Sequence, residues 1–164
     1  MNFLADSMLG NLARWLRMLG QDVIYDTQLN DSRLLEMARK NRVLLTKDLE
    51  LYKRAIAKGI DAFYVESEAE SNMLADLAHR YSLTLIMNME KSNCPMCNTK
   101  LKTTTKDKLS GKLEKNTLTY YKKFWNCPNC GKIYWQGAHW KQINNTLNEA
   151  QTKLEKLKEN KKLC

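Results

Sequence analysis

Through roughly the first half of the chain, apolar and polar positions alternate between two periods, one suited to strands and one to helices. Four short β-prone runs read as strands: Asn2–Ala5, Asp22–Tyr25, Arg42–Thr46 and Ile60–Val65. Between them the spacing turns helical. Leu9, Leu12, Ala13, Leu16 and Leu19 share one face of a helix that Ser7 can cap and Gly20 can stop. Asn30 can cap a second helix, Asp31–Lys40, with Leu34, Leu35 and Ala38 inward. A third runs over Leu49–Lys58 to Gly59, a fourth over Ser71–Tyr81, and Thr84–Met87 is a candidate fifth strand. Strands alternating with helices of this length predict an α/β fold with a mainly parallel sheet and flanking helices. Right-handed crossovers then place the C-terminal end of every strand along one rim.

The pattern stops at Met87–Asn93, where the cysteines begin. Cys94-Pro-Met-Cys97 and Cys127-Pro-Asn-Cys130-Gly131 are two CxxC turns separated by 29 residues. Each such turn can aim two thiolates at one ion, and two turns supply the four ligands of a closed tetrahedral zinc site, structural rather than catalytic. Gly131 permits the backbone to turn back, and the Thr- and Tyr-bearing segment between the knuckles suits the hairpin arms of a ribbon. Cys164 lies outside the pattern. Beyond the ribbon, Ile143, Leu147, Ala150, Leu154 and Leu157 trace a narrow seam on one C-terminal helix over residues 141–163, which packs on the body or on a partner. The expected units are therefore residues 1–90, a zinc ribbon at 91–141, and a terminal helix at 142–164.

Charge divides the chain at the same joint. Of 27 Lys+Arg and 18 Asp+Glu, residues 1–91 hold 12 and 13, so the whole net charge of +9 comes from residues 92–164. A basic half joined to a neutral one suggests polyanion binding; a solvated lysine-rich surface is the plainer reading. Lys100, Lys102, Lys122 and Lys123 stand in the ribbon beside Trp135, His139 and Trp140. Lysines neutralise phosphates and exposed rings can stack on unpaired bases, although rings in so small a module also serve as its core. No apolar run approaches the ~20 residues of a membrane span, and Asp6, Arg14 and Arg17 interrupt any candidate export signal. A cytoplasmic protein whose cysteines bind metal is the resulting expectation.

Asp6, Asp26, Asp48 and Glu66 fall at expected strand ends, and Asp31 opens the second helix on the same side. In open α/β sheets this rim is the usual ligand site, and clustered carboxylates invite a divalent cation. Acidic residues are also common as helix caps, a role that fits Asp31 nearly as well as chemistry does.

The opening run FLADSMLGNLARWLRMLG, Asn30-Asp31, Leu44-Leu45-Thr46-Lys47-Asp48, both knuckles and Tyr134-Trp135-Gln136-Gly137-Ala138-His139-Trp140 together resemble the Mut-seven C-terminal RNase domain family over roughly residues 1–141. The resemblance implies a PIN-like nuclease fold carrying a zinc ribbon. It further implies an RNase whose acidic residues, here Asp6, Asp31 and Asp48, bind Mg²⁺ or Mn²⁺ and activate water for phosphodiester cleavage. Arg14 and Arg17 match basic positions on the first helix, suited to phosphate contact or to plain solvation. A fourth carboxylate is missing, Glu66 being the nearest candidate, and the tail beyond Leu147 has no counterpart. The same arrangement occurs in the nuclease that trims small-subunit ribosomal RNA. An RNA- or ribosome-binding protein with a vestigial or assembly-dependent site is therefore the alternative, and the oligomeric state stays open.

Overall fold

The computed structural model describes residues 1–162, with side chains through residue 160. Cys164 and the last residue of the expected tail helix, Leu163, lie outside the described residues. Four parallel strands form one sheet in the order β2-β1-β3-β4: β1 Asn2–Ala5, β2 Asp22–Tyr25, β3 Val43–Thr46 and β4 Ala62–Tyr64. β1 and β3 take the middle because both are apolar on both faces, as a sheet covered on two sides requires. Alternation along these strands sorts their side chains into two cores. Phe3, Ala5, Val43 and Leu45 join one cluster, whereas Leu4 and Leu44 join the other.

Helices α2 (Asp31–Ala38) and α3 (Leu49–Ala57) cover the second face with Leu34, Leu35, Leu51 and Ala55. Helices α1 (Gly10–Met18) and α4 (Glu70–Tyr81) cover the first with Leu12, Leu16, Leu74 and Leu77. The first α-helix starts two residues later than a Ser7 cap implies. Asp6, not Ser7, makes the cap, accepting from the Met8 N–H, and Ser7–Leu9 forms a 3₁₀ turn before α1. Gly10 lets Tyr25 close on that entry, because a Cβ there would lie 2.8 Å from the Tyr25 hydroxyl and the ring would have to shift. Gly20 ends the segment as expected, at φ +81°.

Thr84–Met87 is a correction: it forms no strand. Leu83 and Leu85 are buried and Ile86 is 72% exposed, so its side chains alternate as in a strand while its backbone joins no ladder.

A second sheet of three antiparallel strands, β5 (Lys102–Thr104), β6 (Phe124–Asn126) and β7 (Ile133–Tyr134), holds the cysteines at its turns. Its small core is Met89, Leu101 and Trp125 around Cys94 and Cys127. The arms of β5 and β6 are only three residues long. Most of what lies between them is a 3₁₀ turn, Lys106–Leu109, and helix α5, Lys115–Tyr120, rather than extended hairpin.

Helix α6 (Trp140–Lys162) then returns to the first domain. Leu147, Ala150 and Leu154 are buried in the α1/α4 core, with Ile143 and Leu157 partly so, and Lys153 Nζ donates to Ser71 Oγ at 2.8 Å. Its apolar seam is satisfied within the chain, by packing on the body.

Candidate functional site

At the rim, Asp6 follows β1 and is 5% exposed. One carboxylate oxygen accepts from the Met8 N–H (2.7 Å) and the other from the Thr46 hydroxyl. Thr46 Oγ1 in turn accepts from the Asp48 N–H (2.9 Å), so one hydroxyl ties the ends of β1 and β3 together. Asp48 caps α3, its Oδ1 accepting from the N–H groups of Glu50 (2.8 Å) and Leu51 (3.0 Å), while its other oxygen takes no bond among the described residues. Asp31, the first residue of α2, is ion-paired with Arg54 of α3. Asp26 folds back to accept from the Gln28 N–H (2.9 Å), and Glu66 is exposed just beyond β4. Buried Asp6 has hydrogen bonds but no cationic partner among the described residues. Thr46 is the residue of this network that charge-counting misses; its signal is the Thr-Lys-Asp turn, where a hydroxyl on the last residue of β3 reaches both Asp6 and the Asp48 N–H.

The cysteines are more tightly gathered. Among the described residues they are the one set of three or more Cys, His, Asp or Glu whose ligand atoms all lie within 4.8 Å of one another. Cys97 and Cys127 sulfurs are 3.3 Å apart, and Cys94 and Cys130 sulfurs 3.6 Å. The edge of an S₄ tetrahedron with Zn–S near 2.3 Å is roughly 3.8 Å, while a disulfide is about 2.05 Å. The spacing therefore suits four ligands around an ion, and the cluster can hold zinc. Without an ion the thiols are unequal. Burial opposes ionisation of Cys97, but hydrogen bonding with Thr99, Asn129 and Cys127 outweighs it and draws the thiol down to about 5. Burial pushes Cys127 up to about 12. A central cation removes that conflict by stabilising all four thiolates at once. Tyr134 Oη lies 3.1 Å from Cys94 Sγ, placed to hydrogen-bond a thiolate; burial, then that sulfur, raises its own pKa.

The first knuckle is fastened to the nearby sheet edge. Arg17, expected as a phosphate contact or a solvated surface charge, is instead interior at 5% exposure. Its Nε and Nη2 donate to Val23 O (3.0 and 2.8 Å), and its Nη1 to Pro95 O (2.9 Å) and Met96 O (3.3 Å). Four of its five N–H groups are thereby committed, leaving it a structural tie. Asn98, in the left-handed conformation (φ 66°) just after Cys97, accepts from the Val23 N–H at 3.1 Å and donates to Asp22 at 2.7 Å. It covers the open edge of β2. Arg42, bonded to the other Asp22 oxygen (2.8 Å), holds that carboxyl below its ordinary range.

The remaining expected RNA contacts divide. Arg14, Lys102, Lys122, Lys123 and His139 are exposed and make no ion pair among the described residues. Lys100 folds back onto the Lys91 carbonyl. Trp135 is half-buried against Tyr121 and Phe124, and Trp140 against the ribbon core. Among the described residues no helix is long and apolar enough to cross a membrane.

A family model described as Mut7-C RNAse domain matches residues 1–147. No curated protein and no solved structure matches the chain.

Proposed function

The chain belongs to the Mut7-C RNAse domain family, and from that premise we propose that it is a metal-dependent endoribonuclease whose basic zinc ribbon holds the RNA. The supporting observation is Asp6: a carboxylate 5% exposed, hydrogen-bonded yet without a cationic partner among the described residues, tied through Thr46 to Asp48, whose second oxygen takes no bond among them. Hard oxygen donors of this kind fit Mg²⁺ or Mn²⁺, which retain several waters and need only one or two protein carboxylates. Asp6 and Asp48 would hold the ion, and Asp31 would join them on leaving Arg54. When bound, such an ion supplies a water of lowered pKa and offsets charge on the phosphate.

The protein's own residues do the rest. Thr46 orients Asp6, and the α3 cap fixes Asp48. Arg54, once released, and exposed Arg14 are free to meet phosphate oxygens. Cys94, Cys97, Cys127 and Cys130 take a structural zinc, and Lys102, Lys122 and Lys123 neutralise the RNA backbone without reading its sequence. His139, Lys100, Trp135 and Trp140 border that surface.

The test is cleavage of a circular RNA, which only an internal cut can open. Cutting should require Mg²⁺ or Mn²⁺, and Asp48→Asn should lower the rate by about 10³-fold, the worth of several kcal/mol of charge stabilisation, with RNA affinity retained. Equal cleavage by that variant removes Asp48 from the reaction. A second reading, an RNA- or ribosome-binding protein whose site assembles only in a larger particle, draws on the Arg54 pair that engages Asp31. Salt-sensitive RNA binding without cleavage under either metal would select it.

A further inference from the structure

Helix α5 has no fully buried residue, Thr117 and Leu118 being only partly buried, so it contributes little to any core. Six residues are too few for an isolated helix to be stable in water. What it presents is Tyr120, 79% exposed and the most exposed large apolar side chain among the described residues. The ring is not loose. It meets Tyr121 edge-on with centroids 4.9 Å apart, Tyr121 lies 6.4 Å from Trp135, and Trp135 lies 6.4 Å from buried Phe124. A ladder of rings thus runs from buried Phe124 of β6 to the surface and ends on an open aromatic face.

Beside that face is a depression of about 740 Å³ lined by Asn116, Thr117, Thr119, Tyr120 and Tyr121. Lys122 and Lys123 follow directly, and Lys115 opens the helix; all three are exposed and none is ion-paired among the described residues. Asn116 is exposed, and its amide offers both a donor and an acceptor.

We propose that Tyr120, propped by Tyr121, is a stacking platform for an unpaired RNA base whose flanking phosphates meet Lys115, Lys122 and Lys123. The inference rests on the RNA-binding part of the reading above. The chemistry favours a nucleic acid over a protein partner. A protein hot spot needs an apolar patch that can be dried, whereas only Tyr121 extends this one, and Thr, Asn and Lys rim it. Single-strand binding uses the combination found here, a π-face between backbone-neutralising lysines. Duplex RNA keeps its bases stacked and has none to give to the ring.

The experiment measures binding of a fluorescent, unstructured oligoribonucleotide and of a hairpin-free RNA duplex to the full chain carrying Asp48→Asn, so that cleavage cannot intrude. Tyr120→Ala should weaken single-strand binding by about tenfold, the worth of one stacked base, leave duplex binding unchanged, and leave the salt dependence unchanged because no phosphate contact is lost. Tyr120→Trp should restore the affinity. Lys122→Gln with Lys123→Gln should instead flatten the salt slope, by about 0.7 per lysine on single strands. Zinc content equal to the parent's checks that each variant is folded. Single-strand affinity unchanged in Tyr120→Ala, or an equal loss on single strand and duplex, overturns the proposal. Failure of the parent to cut RNA leaves this outcome untouched, because the readout is binding alone.

Discussion

The four sulfurs stand 3.3 and 3.6 Å apart in pairs, whereas the three rim aspartates are each engaged elsewhere: Asp6 with Thr46, Asp48 with the start of α3, Asp31 with Arg54. Both sets are candidate metal ligands, but they are assembled differently. A CxxC turn prepares two ligands locally, so the fold has only two turns to bring together. Each carboxylate instead comes from its own loop and doubles as a cap or an ion-pair partner. The first arrangement suits an ion that never leaves. The second suits one that must share its coordination with water and a phosphate, since a closed shell would exclude the substrate.

Loss of one sulfur has the largest expected effect. Cys127→Ser should lose the bound zinc and melt residues 92–135, since structural zinc contributes on the order of 10 kcal/mol in small modules. Metal content and a red shift of tryptophan emission, as buried Trp125 meets water, report the loss. The parallel sheet has its own two cores and should survive. Full zinc content in the variant would show that the cluster is not the metal's site.

How much of this was legible beforehand follows from how local each feature is. Strands β1 to β4, the Asn30 cap and the knuckles are written in short windows, and all appear close to where periodicity, capping and CxxC spacing put them, whereas the Asp48 cap of α3 was not read from the sequence. Thr84–Met87 has the alternation of a strand, but alternation cannot say whether a neighbouring backbone is there to pair with. Asp6 displaced Ser7 as cap because a carboxylate already held by Thr46 sits one residue earlier. Arg17 shows the limit most sharply. On the helix wheel it borders the polar side, and only the docking of a knuckle some 78 residues away turns it into the interior. Long-range assembly is what the linear pattern omits.

That docking supplies a smaller effect. Arg17→Met keeps the apolar stem but strips the donors from the carbonyls of Val23, Pro95 and Met96. Leaving such acceptors buried and unsatisfied should destabilise the fold by about 2–4 kcal/mol. Chemical denaturation of the zinc-loaded protein measures it. Zinc affinity should fall as well, because the knuckle that positions Cys94 and Cys97 loses its anchor. Unchanged stability with weakened RNA binding would instead return Arg17 to the phosphate-contacting role.

The smallest effect separates the rim from the sulfurs most finely. Arg54 and Asp31 are each about half exposed, so breaking their pair with Arg54→Ala should alter stability by less than about 1 kcal/mol. Its consequence lies in the ion. With the guanidinium gone, Asp31 keeps its charge and loses its competitor, and a like charge is removed from the neighbourhood of any bound cation. Removing that repulsion should tighten Mn²⁺ binding at the rim by about threefold or more. Arg54→Lys, retaining the charge without the planar fork, should tighten it less. Electron paramagnetic titration of Mn²⁺ against the zinc-loaded protein reads both. If neither substitution moves the affinity, Asp31 stands too far from the ion to matter, and the metal would rest on Asp6 and Asp48 alone.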